Sequence, residues 1–268
     1  MKVHCIGVNS ALECGKFDTN FVIDFGDDIL LAWDVGRTWP EAMDNAGFDW
    51  KNLSYIYISH LHADHCGGME WLAFNSYFKG DASLSRTSYG GKMDLIGSWE
   101  VLNELWDNCL KAGLQSIQGK TNSLENYFNV TKMPPNGMFP IYDSRVHRGN
   151  IKIVQTVHVI DDRRIKPSYG TMITTKKDNT LFITGDTQFC PEQIRTFYNQ
   201  SDVIIQDCEL ANYPGSVHAQ FDQLKTLPEE VKNKMWLTHY YGDDPPQEEA
   251  RNSGFRGFLK VGQVIEVD

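Results

Sequence analysis

The chain has 268 residues, 41% hydrophobic and 22% charged, with a formal net charge of −10. That composition belongs to a soluble globular protein with enough apolar side chain for a substantial core, and the length fits one large domain or two small ones. The acidic balance excludes a broad basic surface that wraps nucleic acid, but not a small anionic substrate held by a metal or a few arginines.

The opening MKVHCIGVNSALECG lacks a charged n-region followed by an apolar h-region, so it does not read as a signal peptide. Nor does any apolar run approach the roughly 20 residues that span a membrane. Six cysteines (Cys5, Cys14, Cys66, Cys109, Cys190 and Cys208) form no C-x-x-C pair, which argues against a zinc ribbon or a compact disulfide framework. A reducing cytosol is the simplest compartment, with most of the cysteines acting as small buried hydrophobes.

NFVIDFG and DILLAWDVG are apolar runs parted by a GDD hairpin signal. RTWPEAMDNAGF reads as a short helix, with Pro40 in its first turn and Gly47 at its stop. LSYIYIS is a short buried strand that runs straight into HLHADHCGG, and GGMEWLAFNSYF begins a helix over that motif. SWEVLNELWDNCLKAG places Leu102, Leu105, Cys109 and Leu110 on one helical stripe ending at Gly113. Residues 114–150 are polar and rich in Asn, Gly and Pro, and read as an irregular insertion rather than a linker, because strand signals resume after them.

IKIVQTVHVI is a strand with His158 near its end, and YGTMITT and NTLFITGD form a hairpin turned at KKDN. SDVIIQDCEL is a buried strand, HAQFDQLKTLPEEVKNKM a helix broken near Pro228, WLTHYYG a short strand ending at His239, and GQVIEVD closes the chain. Alternating strands and helices with hairpins at the front predict an α/β sandwich of mixed sheets, formed as a single domain over 1–268.

Polar clusters fall at four strand ends: HLHADH, His158, the GDT of Asp186, and His239. Strand ends share a rim, so His60, His62, Asp64, His65, His158, Asp186 and His239 can converge. A lone histidine at a strand end is ordinarily capped or solvated, and an Asp-Thr pair is ordinarily a turn. Three histidines and an aspartate within six residues have no packing reason to be there. Imidazole and carboxylate suit zinc, manganese or iron, and two such ions can share a carboxylate and a hydroxide in hydrolysis.

HLHADH matches the H-x-H-x-D-H motif of the metallo-β-lactamase superfamily. Asp34 in WDVG, His158, Asp186 in TGDT and His239 in LTHY follow in the order that superfamily uses, so the resemblance covers nearly the whole chain. It implies a four-layer αβ/βα sandwich with two divalent metal ions, zinc foremost, at one edge. By that pattern His60, His62 and His158 hold one ion, Asp64, His65 and His239 the other, and Asp186 bridges them. The implied nucleophile is a metal-bridging hydroxide that Asp64 orients. Asp34 then accepts from a ligand histidine and fixes its tautomer.

KPSYGTMI after His158, and DCEL followed by VHAQFDQLKTL, resemble the RNase Z-like phosphodiesterase branch, including small cyclic-nucleotide phosphodiesterases of the anti-Pycsar type. In that branch a histidine at the place of His218 delivers a proton to the leaving oxygen, and here Glu209 is the candidate to orient it. The anti-Pycsar type further implies cyclic mononucleotides as substrate and a homodimer. A tRNA 3′-end endonuclease of RNase Z type is disfavoured, because binding a large polyanion rests on Lys and Arg contacts, whereas residues 114–150 are only mildly basic and the chain is acidic overall. Arg145, Arg148, Arg163, Arg164 and Lys166 could offer one or two phosphate contacts. Tyr169, Trp71 and Phe74 could stack a base, although packing is the ordinary role of each. A thioesterase or lactonase would use the same metals on a carbonyl, with Tyr240 or Tyr241 as polarising group, and a metal-binding module with no turnover is the non-enzymatic alternative. Antibiotic hydrolysis fits least, since a Cys ligand is typical where this chain has Asp186.

Overall fold

The computed structural model describes residues 1–79, 91–143, 145–211 and 215–267. The strands run β1 (Lys2–Gly7), β2 (Asn20–Asp24), β3 (Leu30–Trp33), β4 (Leu53–Tyr57), β5 (Asp94–Ser98), β6 (Ser116–Ile117), β7 (Lys120–Thr121) and β8 (Asn129–Met133). They continue as β9 (Met138–Asp143), β10 (Val146–Gln155), β11 (Tyr169–Thr175), β12 (Thr180–Ile183), β13 (Val203–Asp207), β14 (Met235–Thr238), β15 (Gly257–Phe258) and β16 (Val264–Glu266). One sheet has the order β16-β1-β2-β3-β4-β5-β8 and the other β15-β14-β13-β12-β11-β10-β9, while β6 and β7 form a small ribbon.

Each large sheet is antiparallel at one side and parallel at the other. β3, β4, β5 and β8 run parallel, as do β12, β13, β14 and β15. The hairpins enforce the antiparallel side. Between β2 and β3 the turn passes through Gly26, Asp27 and Asp28, all at positive φ, a conformation that Gly and Asp tolerate best.

The two sheets face each other across a continuous apolar core. Polar tips of large buried side chains find partners across the gap. The Trp33 indole donates to Thr171 Oγ1 at 2.8 Å, and the Tyr57 hydroxyl donates to the Tyr169 carbonyl at 2.7 Å. An unmet donor there would cost about 1–3 kcal/mol, so these bonds fix how the sheets register on one another.

The helices are α1 (Trp39–Asn45), α2 (Ala63–Cys66), α3 (Met69–Lys79), α4 (Trp99–Glu104), α5 (Lys111–Leu114) and α6 (Leu124–Tyr127), then α7 (Pro191–Gln200), α8 (Phe221–Leu224), α9 (Glu229–Lys232) and α10 (Gln247–Asn252). They cover the outer sheet faces; Phe182 of β12, for example, packs on Phe197 and Tyr198 of α7. No helix among the described residues is long and apolar enough to cross a membrane.

Three expectations change. Residues 114–150 are not irregular: β8 is the edge strand of one sheet, β9 is the edge strand of the other, and β10 begins within them (residue 144 lies outside the described residues). The polar character of this stretch suits edge strands, which bury only part of their side chains. The helix after Ser98 does not stay α-helical, because Leu105–Leu110 is a π-helical segment between α4 and α5. Its wider turn carries the buried position from 109 to 110, so Leu110 is buried and Cys109 exposed. Among the cysteines, Cys5, Cys66 and Cys208 are buried, Cys14 and Cys109 exposed, and Cys190 intermediate.

Candidate metal centre

The parallel strands of both sheets deliver their carboxyl ends to one place. β3 is followed by Asp34, β4 leads to His60, β12 to Asp186, β13 ends at Asp207, and β14 is followed by His239. His158 lies three residues beyond β10. Three of these turns use the left-handed region. Asp34 has φ 63°, Gly185 φ 61° and His239 φ 65°. For the two non-glycines this is a sparsely populated conformation, of the kind that clusters at functional sites.

The motif itself folds as an extended His62 that caps the start of α2. α2 is pressed so close to the turn after β3 that a Cβ on Gly36 would overlap the Asp64 carbonyl, and one on Gly68 would overlap the Gly36 carbonyl. The glycines that close HLHADHCGG therefore allow α2 to lie against the end of β3. Val35 N donates to His65 O, Gly68 N to Val35 O, and Asn20 bridges Gly36 N and Asp64 O.

One nitrogen of each of three histidines is tied to the scaffold, which aims the other inward. His65 Nδ1 donates to Asp34 Oδ2 at 2.7 Å. The Ser59 hydroxyl donates to Asp34 Oδ2 and lies 3.1 Å from His60 Nδ1, leaving its lone pair for that N–H. His158 Nδ1 donates to the Val217 carbonyl at 2.9 Å. The expected partnership of Asp34 with a motif histidine is thus present, with Ser59 as an additional member.

The inward atoms form three overlapping groups. His60, His62, His158 and Asp186 each place one donor atom within 4.8 Å of the others, as do Asp64, His65, Asp186 and His239. A third group combines Asp186, Asp207, His218 and His239. Asp186 Oδ2 sits among them, 3.3 Å from His65 Nε2, 3.5 Å from His239 Nε2, 3.6 Å from His60 Nε2 and 3.7 Å from His158 Nε2. The residues of the first two groups are those the sequence grouped, with Asp186 common to both.

Burial and charge divide the histidines. Burial, reinforced by neighbouring imidazoles, pushes His60 well below the ordinary imidazole value. His62 and His158 are also lowered, chiefly by burial. His65 and His239 are equally buried, but carboxylates overcome that effect and hold both well above it: Asp186, Asp64 and Asp34 around His65, and Asp186, Asp207 and Asp64 around His239. The same contacts keep the carboxyls of Asp64 and Asp186 below the usual range despite burial.

The donor set fits divalent metal. His60 Nε2, His65 Nε2, Asp186 Oδ2 and Asp207 Oδ1 are buried without a hydrogen-bond partner among the described residues. His62 Nδ1 and His158 Nε2 lie 3.1 Å apart, within the group of possible ligand atoms that also includes His60 and Asp186. Buried groups of this kind are costly unless something satisfies them, and a cation accepting several nitrogen and oxygen donors does so.

His218 precedes α8 by a short loop, two residues before the capping Gln220, rather than starting the helix. Its ring stacks on His239 at 4.7 Å and lies 4.9 Å from His158. The residue that orients it is Asp207 and not Glu209. Asp207 Oδ2 is 2.8 Å from His218 Nδ1, whereas Glu209 Oε1 accepts from the Ala211 backbone amide. Burial lowers His218, but Asp207 overrides it and raises the imidazole above its ordinary value. Asp207 ends β13 as Asp186 follows β12, and the two strands are parallel neighbours.

The other candidates are held elsewhere. Arg148 pairs with Asp27 and Asp143, Arg163 with Asp161 and Asp162, Arg164 with Glu104, and Lys166 with Asp161, while Arg145 is exposed. Tyr169 is buried and donates to Glu100, and Trp71 packs on Trp39 and Trp50. Phe74 stacks on Phe78. Tyr240 is buried with its hydroxyl on the Leu259 carbonyl, and Tyr241 is exposed.

Comparison with known proteins agrees with this architecture. The family model described as "Anti-Pycsar protein Apyc1" matches residues 1–265. An anti-Pycsar protein Apyc1 from Paenibacillus harenae is 32% identical over 257 residues, covering 96% of each chain. Among solved structures, the metallo-β-lactamase fold protein YhfI from Bacillus subtilis superposes with a TM-score of 0.70 at 18% identity, covering 99% of both chains. The short form of human tRNase Z does so with a TM-score of 0.68 at 16% identity over the full length of both. The fold is that of the metallo-β-lactamases.

Proposed function

The chain belongs to the anti-Pycsar protein Apyc1 family and is a metal-dependent hydrolase, and from that premise we propose that it opens the phosphodiester of small cyclic nucleotides. The observation that carries this reading is the placement of His218, an imidazole that Asp207 holds at 2.8 Å and raises above its ordinary value, beside both His/Asp groups. An acid poised there suits a reaction whose leaving group is an alkoxide needing a proton.

His60, His62 and His158 would hold one divalent ion and Asp64, His65 and His239 a second, with Asp186 common to both. The donor chemistry favours zinc and admits manganese or iron. Such ions supply positive charge for the phosphoryl oxygens and acidify water. Asp64, ionised at neutral pH, orients the attacking water through the oxygen not turned toward His65 and His239. Asp34 and Ser59 keep the Nε2 atoms of His65 and His60 turned inward, and Asp207 does the same for the proton on His218 Nε2. That proton passes to the leaving oxygen as the ring opens.

The net charge of −10 and the pairing of Arg148, Arg163, Arg164 and Lys166 with carboxylates support a small substrate over a folded RNA, whose long phosphate backbone is held through many Lys and Arg contacts. A panel of 3′,5′-cyclic nucleotides, bis-p-nitrophenyl phosphate, a lactone and a thioester, run with metal analysis, tests the reading. Phosphodiester turnover should dominate; preference for the carbonyl substrates would refute it. His62→Ala should lose both metal and turnover, and His218→Ala should lose turnover while retaining metal.

A further inference from the structure

We propose that Trp99, flanked by Ile160 and Ile165, is the platform on which the base of a nucleotide stacks while its phosphate lies at the metal centre. This rests on the cyclic-nucleotide reading and adds a specificity-determining residue to it. All three side chains are exposed, Trp99 to 47%, Ile160 to 58% and Ile165 to 45%. Exposed apolar residues scattered singly need no explanation, but these three sit on segments that adjoin metal-facing histidines.

Trp99 reaches the rim with β5. β4 and β5 are parallel neighbours with Tyr57 level with Ile96, so three residues further on His60 and Trp99 leave the same edge of the sheet. The two segments stay side by side past that pairing, since a Cβ on Gly97 would lie 3.4 Å from the Ile58 carbonyl. The Ser98 hydroxyl then caps α4, accepting from the Val101 amide at 3.1 Å, and Trp99 is the first residue of the helix. Tyr169 ties this turn to the metal motif. Its amide donates to the Ser59 carbonyl at 3.1 Å, and its hydroxyl donates to Glu100 Oε2 at 2.5 Å.

Ile160 and Ile165 come from a second segment. They are opposed across a short hairpin that begins just after His158, closed by bonds from Lys166 N to Val159 O and from Asp161 N to Arg164 O. Opposed residues of an antiparallel pair share a face. Asp161 Oδ1 accepts from the Arg163 and Arg164 amides, which fixes the tip. Arg164 Nη2 donates to Glu104 Oε1 at 2.5 Å, which moors the hairpin to α4. The indole and the two aliphatic side chains thus belong to elements tied to one another and to the ligand-bearing segments. Every base has a π-face to lay on an indole, so the platform selects for the presence of a base rather than its identity.

The test is calorimetric titration of the metal-loaded full chain with a nucleoside 5′-monophosphate and with ribose 5-phosphate, which carries the same phosphate and sugar without the base. The parent should bind the nucleotide about tenfold more tightly, the scale of one base–aromatic stack. Trp99→Ala should bring the two dissociation constants together by weakening the nucleotide alone, and Trp99→Phe should keep most of the difference. With 3′,5′-cyclic nucleotides, Trp99→Ala should raise KM by a similar factor and leave kcat nearly unchanged. The proposal is overturned if the parent does not distinguish the two ligands, if Trp99→Ala preserves the distinction, or if it weakens both equally, as a merely structural role would. It is also overturned if sedimentation shows that Trp99→Ala separates a dimer formed by the parent, which would make the patch a contact between copies. The titration needs no turnover: a base effect without ring opening would refute the cyclic-nucleotide reading alone, and ring opening without a base effect would refute this inference alone.

Discussion

A buried imidazole keeps its proton at neutral pH only if a carboxylate compensates the loss of water. Asp207 works in that direction on His218, raising it above its ordinary value, and it also accepts from the Thr187 amide, which fixes its own position. Asp207→Asn removes the charge but not the shape, so burial then lowers His218 and its acidic form is lost as pH rises. Turnover should drop by about 10–100-fold with metal retained, and the deficit should be smaller at pH 6 than at pH 8. Glu209→Gln should leave both rate and profile unchanged. The split among the metal-facing histidines gives a second expectation. His65 and His239 are raised and hold protons in the metal-free chain, whereas His60, His62 and His158 are lowered and do not. Zinc titrated into weakly buffered apoprotein at pH 7 should release protons that His65 and His239 supplied. A titration with no proton release would show that these imidazoles are neutral beforehand.

At the scale of the element, α2 is four residues long and cannot be stable alone. Its position comes from the end of β3, through the Gly36 contact and the Asn20 bridge. Gly36→Ala puts a methyl where the Asp64 carbonyl lies. It should cost about 1–3 kcal/mol in overpacking, lower the thermal midpoint, and weaken metal retention before the fold is lost; calorimetry and metal analysis after dialysis would show this. Elements with strong local patterns were legible in the sequence: the hairpins at GDD and KKDN, the helix opened by Pro40, and the break at Pro228 all lie where the chain chemistry puts them. The π-helical segment was not, because its residues are those of an ordinary amphipathic helix and only packing against neighbouring elements selects the wider turn. β8 and β9 were hidden for a related reason. A polar edge strand has a weak alternating pattern, and its existence depends on a partner strand far away in the sequence.

Across the whole molecule, two sheets with parallel halves bring strand ends from the beginning, middle and end of the chain to one rim. That convergence was legible because all seven metal-facing residues the sequence grouped either sit in HLHADH or lie within three residues of a strand end, where a polar residue after an apolar run stands out. Asp207 was hidden inside a strand read as simply buried, and Ser59 looked like a strand terminus. The distribution of charge agrees with the scale of the proposed substrate: a net −10 chain in which Arg148, Arg164 and Lys166 are paired with carboxylates can hold one phosphodiester at a metal-bearing rim more readily than a polyanion. The most direct test is phosphorus NMR of 3′,5′-cyclic nucleotides incubated with the protein, with and without chelator. The account predicts conversion to the nucleoside monophosphate that chelator abolishes and added zinc or manganese restores. Cyclic nucleotides left intact by metal-replete protein, or ring opening indifferent to chelator, would contradict it.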